Sequence, residues 1–204
     1  MTQHKAAFLR IWHIPYANQT VAHVLQNAFP NVKIEIIDVL DLIKRHKPMM
    51  AKNLLHLARE YGVEIVQGLK RPKRAFFTTA YAMQQMNQLI RQTLRQDSYL
   101  FTFQMQSLFD GQTGQHPHFV YTDHTMLANL NYPEAVQRQA MLSATWHEEE
   151  KHIYENATVN FTRSQHISCS LINQYHLPPQ QVECVFAGPN TPIEQPKFEE
   201  TRYQ

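Results

Sequence analysis

Residues 157–186 read ATVNFTRSQHISCSLINQYHLPPQQVECVF, and this stretch decides the fold class. The run ATVNFT (157–162) is rich in β-branched and aromatic residues and indicates a strand. The residues from Ser164 to about His176 have helical spacing, and VECVF (182–186) indicates a second strand. A strand, a helix and another strand in such close succession form the unit from which parallel sheets are built.

The same alternation extends back to the N-terminus. Further strands are predicted at AAFLRIW (6–12), KIEIIDV (33–39), VEIVQ (63–67), YLFTFQ (99–104) and HFVYT (118–122). Apolar residues at helical spacing predict helices at residues 18–29, 49–61, 75–96 and 132–156. The sequence therefore predicts an α/β fold, a Rossmann-like doubly wound parallel sheet with helices on both faces.

The composition excludes several classes of protein. The chain has 204 residues, a net charge of +2, 43% hydrophobic residues and 18% charged residues. This charge is too balanced for nucleic acid to be the main partner, and the hydrophobic content excludes intrinsic disorder. Two cysteines, Cys169 and Cys184, exclude a disulfide-rich scaffold and favour a cytoplasmic location. No apolar run reaches the ~20 residues that a membrane span needs.

Candidate site residues follow the predicted strands, because ligands of open α/β sheets bind beyond the carboxyl ends of the strands. These candidates are Tyr16, Asn18 and Gln19 after the first strand, Asp123 and His124 after HFVYT, Arg163 and Ser164 after ATVNFT, and Asn190 after VECVF.

Three of these candidates have more than one interpretation. His124, beside an aspartate, can act as an acid, a base or a hydrogen-bond donor to a sugar hydroxyl, or it can face solvent. Arg163 can hold a phosphate or a carboxylate, or it can be a solvated residue at the sheet edge. The hydroxyl of Ser164 can cap the following helix or meet a ligand at the helix N-terminus.

Several sites are disfavoured by the motifs. The chain has no G-x-G-x-x-G, no P-loop and no G-x-S-x-G motif, which argues against a dinucleotide site, a P-loop NTPase and an α/β hydrolase. His147 and His152 are five positions apart on a predicted helix, so they point about 140° from each other and cannot easily share a metal ion. The run Glu148-Glu149-Glu150 is predicted to be a solvated helix face, and no metal is expected.

Two basic clusters stand out, at residues 44–47 (KRHK) and 70–74 (KRPKR). The second cluster leads into Phe76 and Phe77. Basic residues beside aromatic residues suit either an anionic membrane surface or a phosphate-bearing substrate, and a solvated loop is the simpler interpretation.

Four segments near the end of the chain together resemble a known family. They are WHEEEKHIYENA (146–157), VNFTRS (159–164), LINQYHLP (171–178) and AGPN (187–190). In this order they resemble the end of the N-terminal domain of family 4 retaining glycosyltransferases, which have the GT-B fold. Asp123-His124-Thr125 resembles a strand end of the same enzymes. Two features depart from the family pattern: the first loop lacks paired glycines, and His176 stands where a glycine is usual.

The resemblance implies a division of the chain. Residues 1–190 would form a Rossmann-like acceptor-side domain, and residues 191–204 a linker toward a C-terminal nucleotide-sugar domain that is missing here. The whole enzyme would transfer a sugar from a nucleotide-sugar to a glycan, lipid or small-molecule acceptor with retained anomeric configuration. The nucleotide-sugar would be a co-substrate, no metal would be needed, and residues 1–204 alone would be inactive.

The resemblance also implies roles for the candidate residues. His124 would be a hydrogen-bond partner or an electrostatic aid near the transferred sugar. Tyr16, Asn18, Gln19 and Asp123 would line the acceptor side, and Arg163, Ser164 and Asn190 would lie near the cleft between the domains. The alternative hypothesis is a non-enzymatic, Rossmann-like binding or regulatory module that is complete at 204 residues.

Overall fold

The computed structural model describes residues 4–11 and 15–186, without the side chains of residues 15–18, 135 and 139. The described residues form a six-stranded parallel sheet with the strand order β2-β1-β3-β4-β5-β6. The strands are β1 (Lys5–Arg10), β2 (Lys33–Asp38), β3 (Thr102–Met105), β4 (His118–Thr122), β5 (Val159–Thr162) and β6 (Val182–Cys184).

Helices connect these strands. They are α1 (Pro15–Ala28), α2 (Val39–Arg45), α3 (Lys47–Val66), α4 (Pro72–Ala75), α5 (Ala80–Leu94), α6 (Glu134–Ala140), α7 (Ala144–Asn156) and α8 (Gln165–Asn173), with 3₁₀ helices at Leu127–Asn131 and Pro179–Gln181. Within residues 4–11 and 15–186, no helix combines the length and the apolar character needed to cross a bilayer.

The sheet is covered by apolar residues on both faces. Successive residues of a strand point to opposite faces, and the fully buried Phe8 and Leu9 of β1 belong to separate clusters. Leu9 packs in the large core that also contains Met86 of α5, whereas Phe8 packs with Leu25 of α1. Helices therefore lie on both faces, which confirms the predicted doubly wound α/β fold.

The strand predicted at residues 63–67 is wrong, because these residues continue α3. Leu57, Tyr61 and Ile65 are spaced four residues apart, and all three pack in one small cluster with Ala75. This spacing suits a helix and not a strand. The helix ends at Val66, just before Gly68, whose φ of +73° is in the left-handed region that favours glycine.

The strand order indicates where a ligand would bind, at the carboxyl ends of the central strands. From β1 the chain first adds β2 on one side, and then it adds β3, β4, β5 and β6 in turn on the other side. Ligands of such sheets bind beyond the carboxyl ends of the strands, and the order reverses between β1 and β3. Residues 12–14, which follow β1, lie outside the described residues, so the described part of this region consists of the loops after β3 and its neighbour β4.

Candidate functional site

A cavity of about 1040 Å³ opens at the carboxyl ends of β3 and β4. Three segments line it: the turn after β3 (residues 106–111), the segment after β4 (residues 123–129) and the basic segment (residues 70–74) with its flanks. A cavity of this size matches the upper end of small-molecule sites, about 300–1,000 Å³.

The turn after β3 is shaped by a buried glutamine. The Gln104 Nε2 donates to the carbonyl oxygens of Gln106 and Phe109, both at 2.8 Å, and its Oε1 accepts from the Gly111 N at 2.9 Å. Gln106 has a φ of +70°, in the left-handed region. A Cβ at Gly111 would collide with the Leu9 side chain, which would have to shift to admit any other residue. The backbone at this wall is thus fixed by buried contacts.

The segment after β4 holds His124 in a defined orientation. The Thr122 hydroxyl donates to the His124 carbonyl oxygen at 2.6 Å and accepts from the His124 N at 3.3 Å. The His124 Nε2 lies 3.0 Å from the Asn129 Oδ1. A carbonyl oxygen only accepts, so Nε2 carries the proton in this contact. Among the described residues, none forms a hydrogen bond with His124 Nδ1, and this nitrogen is available to a ligand.

Asp123 and Arg163 form an ion pair at the rim of the cavity. The Arg163 Nη1 lies 3.5 Å from the Asp123 Oδ2, and the Asp123 carboxylate is about half exposed. Asp123 lines the cavity next to His124, whereas Arg163, which follows the neighbouring strand β5, does not line it. The predicted place of Arg163 near a cleft between two domains stays a prediction.

Ser164 acts as a helix cap. Its side-chain oxygen accepts from the Ile167 N at 3.4 Å, and its carbonyl oxygen accepts from the Thr162 hydroxyl at 3.3 Å. These contacts match the capping interpretation of Ser164. The residue does not line the cavity.

The remaining predicted residues are described only in part. Gln19 is exposed on α1 and does not line the cavity. The side chains of Tyr16 and Asn18 are not among those described, and Asn190, like the predicted linker at 191–204, lies outside the described residues.

The basic segment forms the outer wall. Arg71, Lys73 and Arg74 are exposed and line the cavity, and none of them forms an ion pair with a described residue. Lys70 differs, because its Nζ donates to the Met141 carbonyl oxygen at 2.5 Å and burial lowers its pKa. Residues 71–74 are thus exposed, as the interpretation of a solvated segment predicts, and the basic segment also lines the cavity.

Side chains of α3 hold the residues that follow the basic segment. The Asn53 Nδ2 donates to the Phe76 carbonyl oxygen at 2.5 Å, and the Tyr61 hydroxyl donates to the Thr78 carbonyl oxygen at 2.9 Å. Asn53 also accepts from the Thr79 hydroxyl at 2.5 Å. Asn53 and Thr79 are fully buried. The basic segment is therefore anchored close to its C-terminal end.

Glu150 is an important residue that the sequence analysis places wrongly. The run 148–150 was expected to be a solvated face, but Glu150 is fully buried. Its carboxylate accepts from the Ser107 hydroxyl at 2.8 Å, from the Met126 N at 3.2 Å, and from the hydroxyls of Tyr154 and Tyr175. Burial raises the pKa of Glu150 from 4.5 to about 7, and the four hydrogen bonds oppose that rise.

This carboxylate joins the two inner walls of the cavity. Ser107 belongs to the turn after β3 and Met126 to the segment after β4, so Glu150 fixes one against the other. Tyr175 adds a second link, because its hydroxyl also accepts from the Leu127 N at 3.1 Å. Helical spacing could have revealed the burial of Glu150, since it is four residues after the buried Trp146 and four before the buried Tyr154.

Within residues 4–11 and 15–186, no group of three or more His, Cys, Asp or Glu side chains is placed to hold a metal ion. Cys169 and Cys184 are free thiols.

Comparison with known proteins does not add to the resemblance. No protein-family model matches the chain, and no curated protein matches it. The resemblance to glycosyltransferases therefore rests on the residues quoted above. The structure itself shows a parallel, doubly wound α/β fold with a cavity at its β3 and β4 strand ends.

Proposed function

We propose that this chain is the acceptor-binding N-terminal domain of a retaining glycosyltransferase. The observation that carries the proposal is the position of His124. It lies in the wall of a cavity at the carboxyl ends of two central strands, with its Nδ1 without a partner among the described residues. A polar group at this edge of an open sheet is where a ligand of the fold would bind.

The stretch that resembles the family also supports the proposal. Its acidic helix α7 ends at Asn156 and is followed by Ala157, and a strand then leads to Ser164, which caps α8. Two residues of this stretch, Glu150 and Tyr175, bind the backbone of the segment that carries His124. The part of the chain that resembles the family therefore holds the segment that carries His124 in place.

The chemistry follows from the orientation of His124. Asn129 binds the ring through Nε2, so Nδ1 would accept a hydrogen bond from a sugar hydroxyl. Asp123 at the rim would accept from a further hydroxyl of the acceptor. Catalysis would arise from positioning the acceptor and from stabilising charge at an oxocarbenium-like state. A second domain would bind the nucleotide-sugar, with Arg163 and Asn190 near the cleft between the two domains.

Sugar transfer by the whole protein encoded by the gene tests this proposal. The protein is incubated with UDP-, GDP- and ADP-sugars and a panel of acceptors, and release of the nucleoside diphosphate is measured. We expect His124→Ala to lower turnover tenfold or more. His166→Ala is the matched control, because His166 is exposed on α8 and does not line the cavity, and it should leave turnover within twofold.

Three results would contradict the proposal. Near-normal turnover of His124→Ala would remove His124 from the reaction. Full turnover by residues 1–204 alone would contradict the need for a second domain. Ligand binding without transfer of any sugar would instead favour the alternative of a non-enzymatic binding module.

A further inference from the structure

The two basic clusters of the chain have different surroundings. Residues 44–47 lie at the junction of α2 and α3 and do not line the cavity, and Lys44 forms an ion pair with Asp41. In the basic segment, by contrast, Arg71, Lys73 and Arg74 line the cavity and form no ion pair with a described residue. The cavity therefore receives charge that the rest of the described chain does not neutralise.

Asp123 is the one carboxylate among the described residues that line this cavity, and it already pairs with Arg163. Lys70 lies on the same wall, and its charge interacts with Glu64. The three cations Arg71, Lys73 and Arg74 beside one paired carboxylate give the cavity a positive potential. A concave site focuses such a potential and attracts anions.

The basic segment is also held in place before any ligand arrives. Asn53 and Tyr61 bind the residues that follow it, and Lys70 binds the Met141 carbonyl oxygen at its other end. The segment is held at both ends, so its cations stay close together and repel one another. A bound anion relieves that repulsion. A ligand would therefore meet cations whose backbone is already held in place.

We infer that the cavity binds the phosphate group of its ligand through Arg71, Lys73 and Arg74. Two guanidinium groups offer forked pairs of donors, and a phosphate offers several oxygens and up to two negative charges to match them. A single carboxylate would satisfy fewer of these donors. This inference rests on the proposed function and adds to it that the sugar acceptor carries a phosphate monoester.

Binding of glycerol 3-phosphate to the 204-residue chain tests the inference, with calorimetry at low salt and glycerol as the uncharged control. The triple variant Arg71→Ala, Lys73→Ala, Arg74→Ala should weaken binding tenfold or more. The matched control Lys44→Ala, Arg45→Ala, Lys47→Ala removes the same charge from the other cluster and should change affinity less than twofold. Thermal unfolding followed by circular dichroism checks that both variants remain folded.

Two results would overturn the inference: no binding of glycerol 3-phosphate by the unmodified chain, or an equal loss in both triple variants, which would show unspecific attraction by net charge.

The source of the phosphate is decided by a second arm with vesicles of phosphatidic acid in phosphatidylcholine. Pelleting with these vesicles that glycerol 3-phosphate competes away, and that the first triple variant loses, would assign the site to a lipid headgroup. Binding of glycerol 3-phosphate without pelleting would assign it to a soluble phosphorylated acceptor. Pelleting that both triple variants lose equally would contradict a specific phosphate site.

Different results would contradict the proposed function and this inference. If glycerol 3-phosphate binds through the basic segment but the whole protein transfers no sugar, the phosphate site stands and the glycosyltransferase proposal is wrong. If sugar transfer proceeds equally well to unphosphorylated acceptors and in the first triple variant, the glycosyltransferase proposal stands and the phosphate inference is wrong.

Discussion

The inner and outer walls of the cavity are held in opposite ways. The inner walls, after β3 and β4, are fixed by buried polar side chains, with Gln104 and Glu150 saturated by hydrogen bonds. In the outer wall, the basic segment, the exposed Arg71, Lys73 and Arg74 form no ion pair with a described carboxylate, and the segment is anchored near its ends. One side of the site therefore fixes positions, and the other side supplies charge.

The largest effect is expected from Glu150→Ala. The substitution would remove the acceptor of the Ser107 hydroxyl, the Met126 N and the Tyr175 hydroxyl, whereas the Tyr154 hydroxyl would keep the His124 carbonyl oxygen at 3.3 Å. It would also remove the link between the two inner walls. We expect the free energy of unfolding to fall by about 3–5 kcal/mol, measured by urea denaturation. The control Glu148→Ala changes an exposed residue of the same helix and should cost less than about 0.5 kcal/mol. Similar losses in both variants would show that the inner walls do not depend on Glu150.

The substitution Gly111→Ala tests the turn after β3 alone. The added Cβ would meet Leu9, and it would lie 3.0 Å from the His118 Cε1 in a fully buried environment. We expect a loss of about 1–3 kcal/mol in the free energy of unfolding. Gly62→Ala is the control, because a Cβ there meets nothing within 4 Å in the middle of α3. It should raise stability by about 0.5–1 kcal/mol, and a loss there as large as at Gly111 would contradict the close packing of the turn.

The anchor of the outer wall is tested by Asn53→Ala. Loss of the amide would leave the Phe76 carbonyl oxygen and the Thr79 hydroxyl without this partner. We expect a loss of about 1–2 kcal/mol in the free energy of unfolding and weaker binding of glycerol 3-phosphate. Leu54→Ala, at an exposed neighbour on α3, should affect neither quantity. A destabilised Asn53 variant with unchanged phosphate affinity would show that the anchor does not position the basic segment.

Measuring the free energy of unfolding at a series of pH values tests the raised pKa of Glu150. Its pKa rises from 4.5 in the unfolded chain to about 7 in the folded chain, because burial disfavours the charged form. The folded state therefore binds this proton more tightly, and the stabilising effect of protonation is lost as the pH rises from about 4.5 to about 7. The stability of the unmodified chain relative to Glu150→Gln should fall across this window and level off above it. A relative stability that rises with pH instead would mean that the hydrogen bonds outweigh burial.

The smallest effect on stability is expected from removing the charges of the outer wall. Arg71, Lys73 and Arg74 are exposed, so their joint replacement by alanine should change the free energy of unfolding by less than about 1 kcal/mol. The replacement relieves repulsion between like charges, so any change should be stabilising at low salt and should disappear at high salt, where the charges are screened. A loss of several kcal/mol would show that these residues belong to the fold and not to a ligand site.

Local patterns predicted much of the fold. The run HFVYT is a strand from His118 to Thr122 as predicted, and the alternation of strands and helices gave the doubly wound sheet. The run VEIVQ was misleading because β-branched residues favour strands locally, whereas the packing of Ile65 with Tyr61 requires a helix.

The candidate site was less predictable. The rule for strand ends selected Asp123 and His124, which do line the cavity, because this rule depends only on the order of elements. It could not reveal the burial of Glu150, since three of the four donors, Ser107, Met126 and Tyr175, come from segments far apart in sequence. For the same reason, the sequence did not show that the basic segment and His124 line the same cavity.

The most direct test of the account is to locate a phosphate ligand on the chain by NMR. Backbone amide shifts of the ¹⁵N-labelled 204-residue protein are followed during titration with glycerol 3-phosphate. We expect the largest changes in residues 70–78 and 122–129, which contain most of the residues that line the cavity. Changes centred on residues 44–47, or changes spread evenly over all basic residues, would contradict the assignment of the cavity as the ligand site.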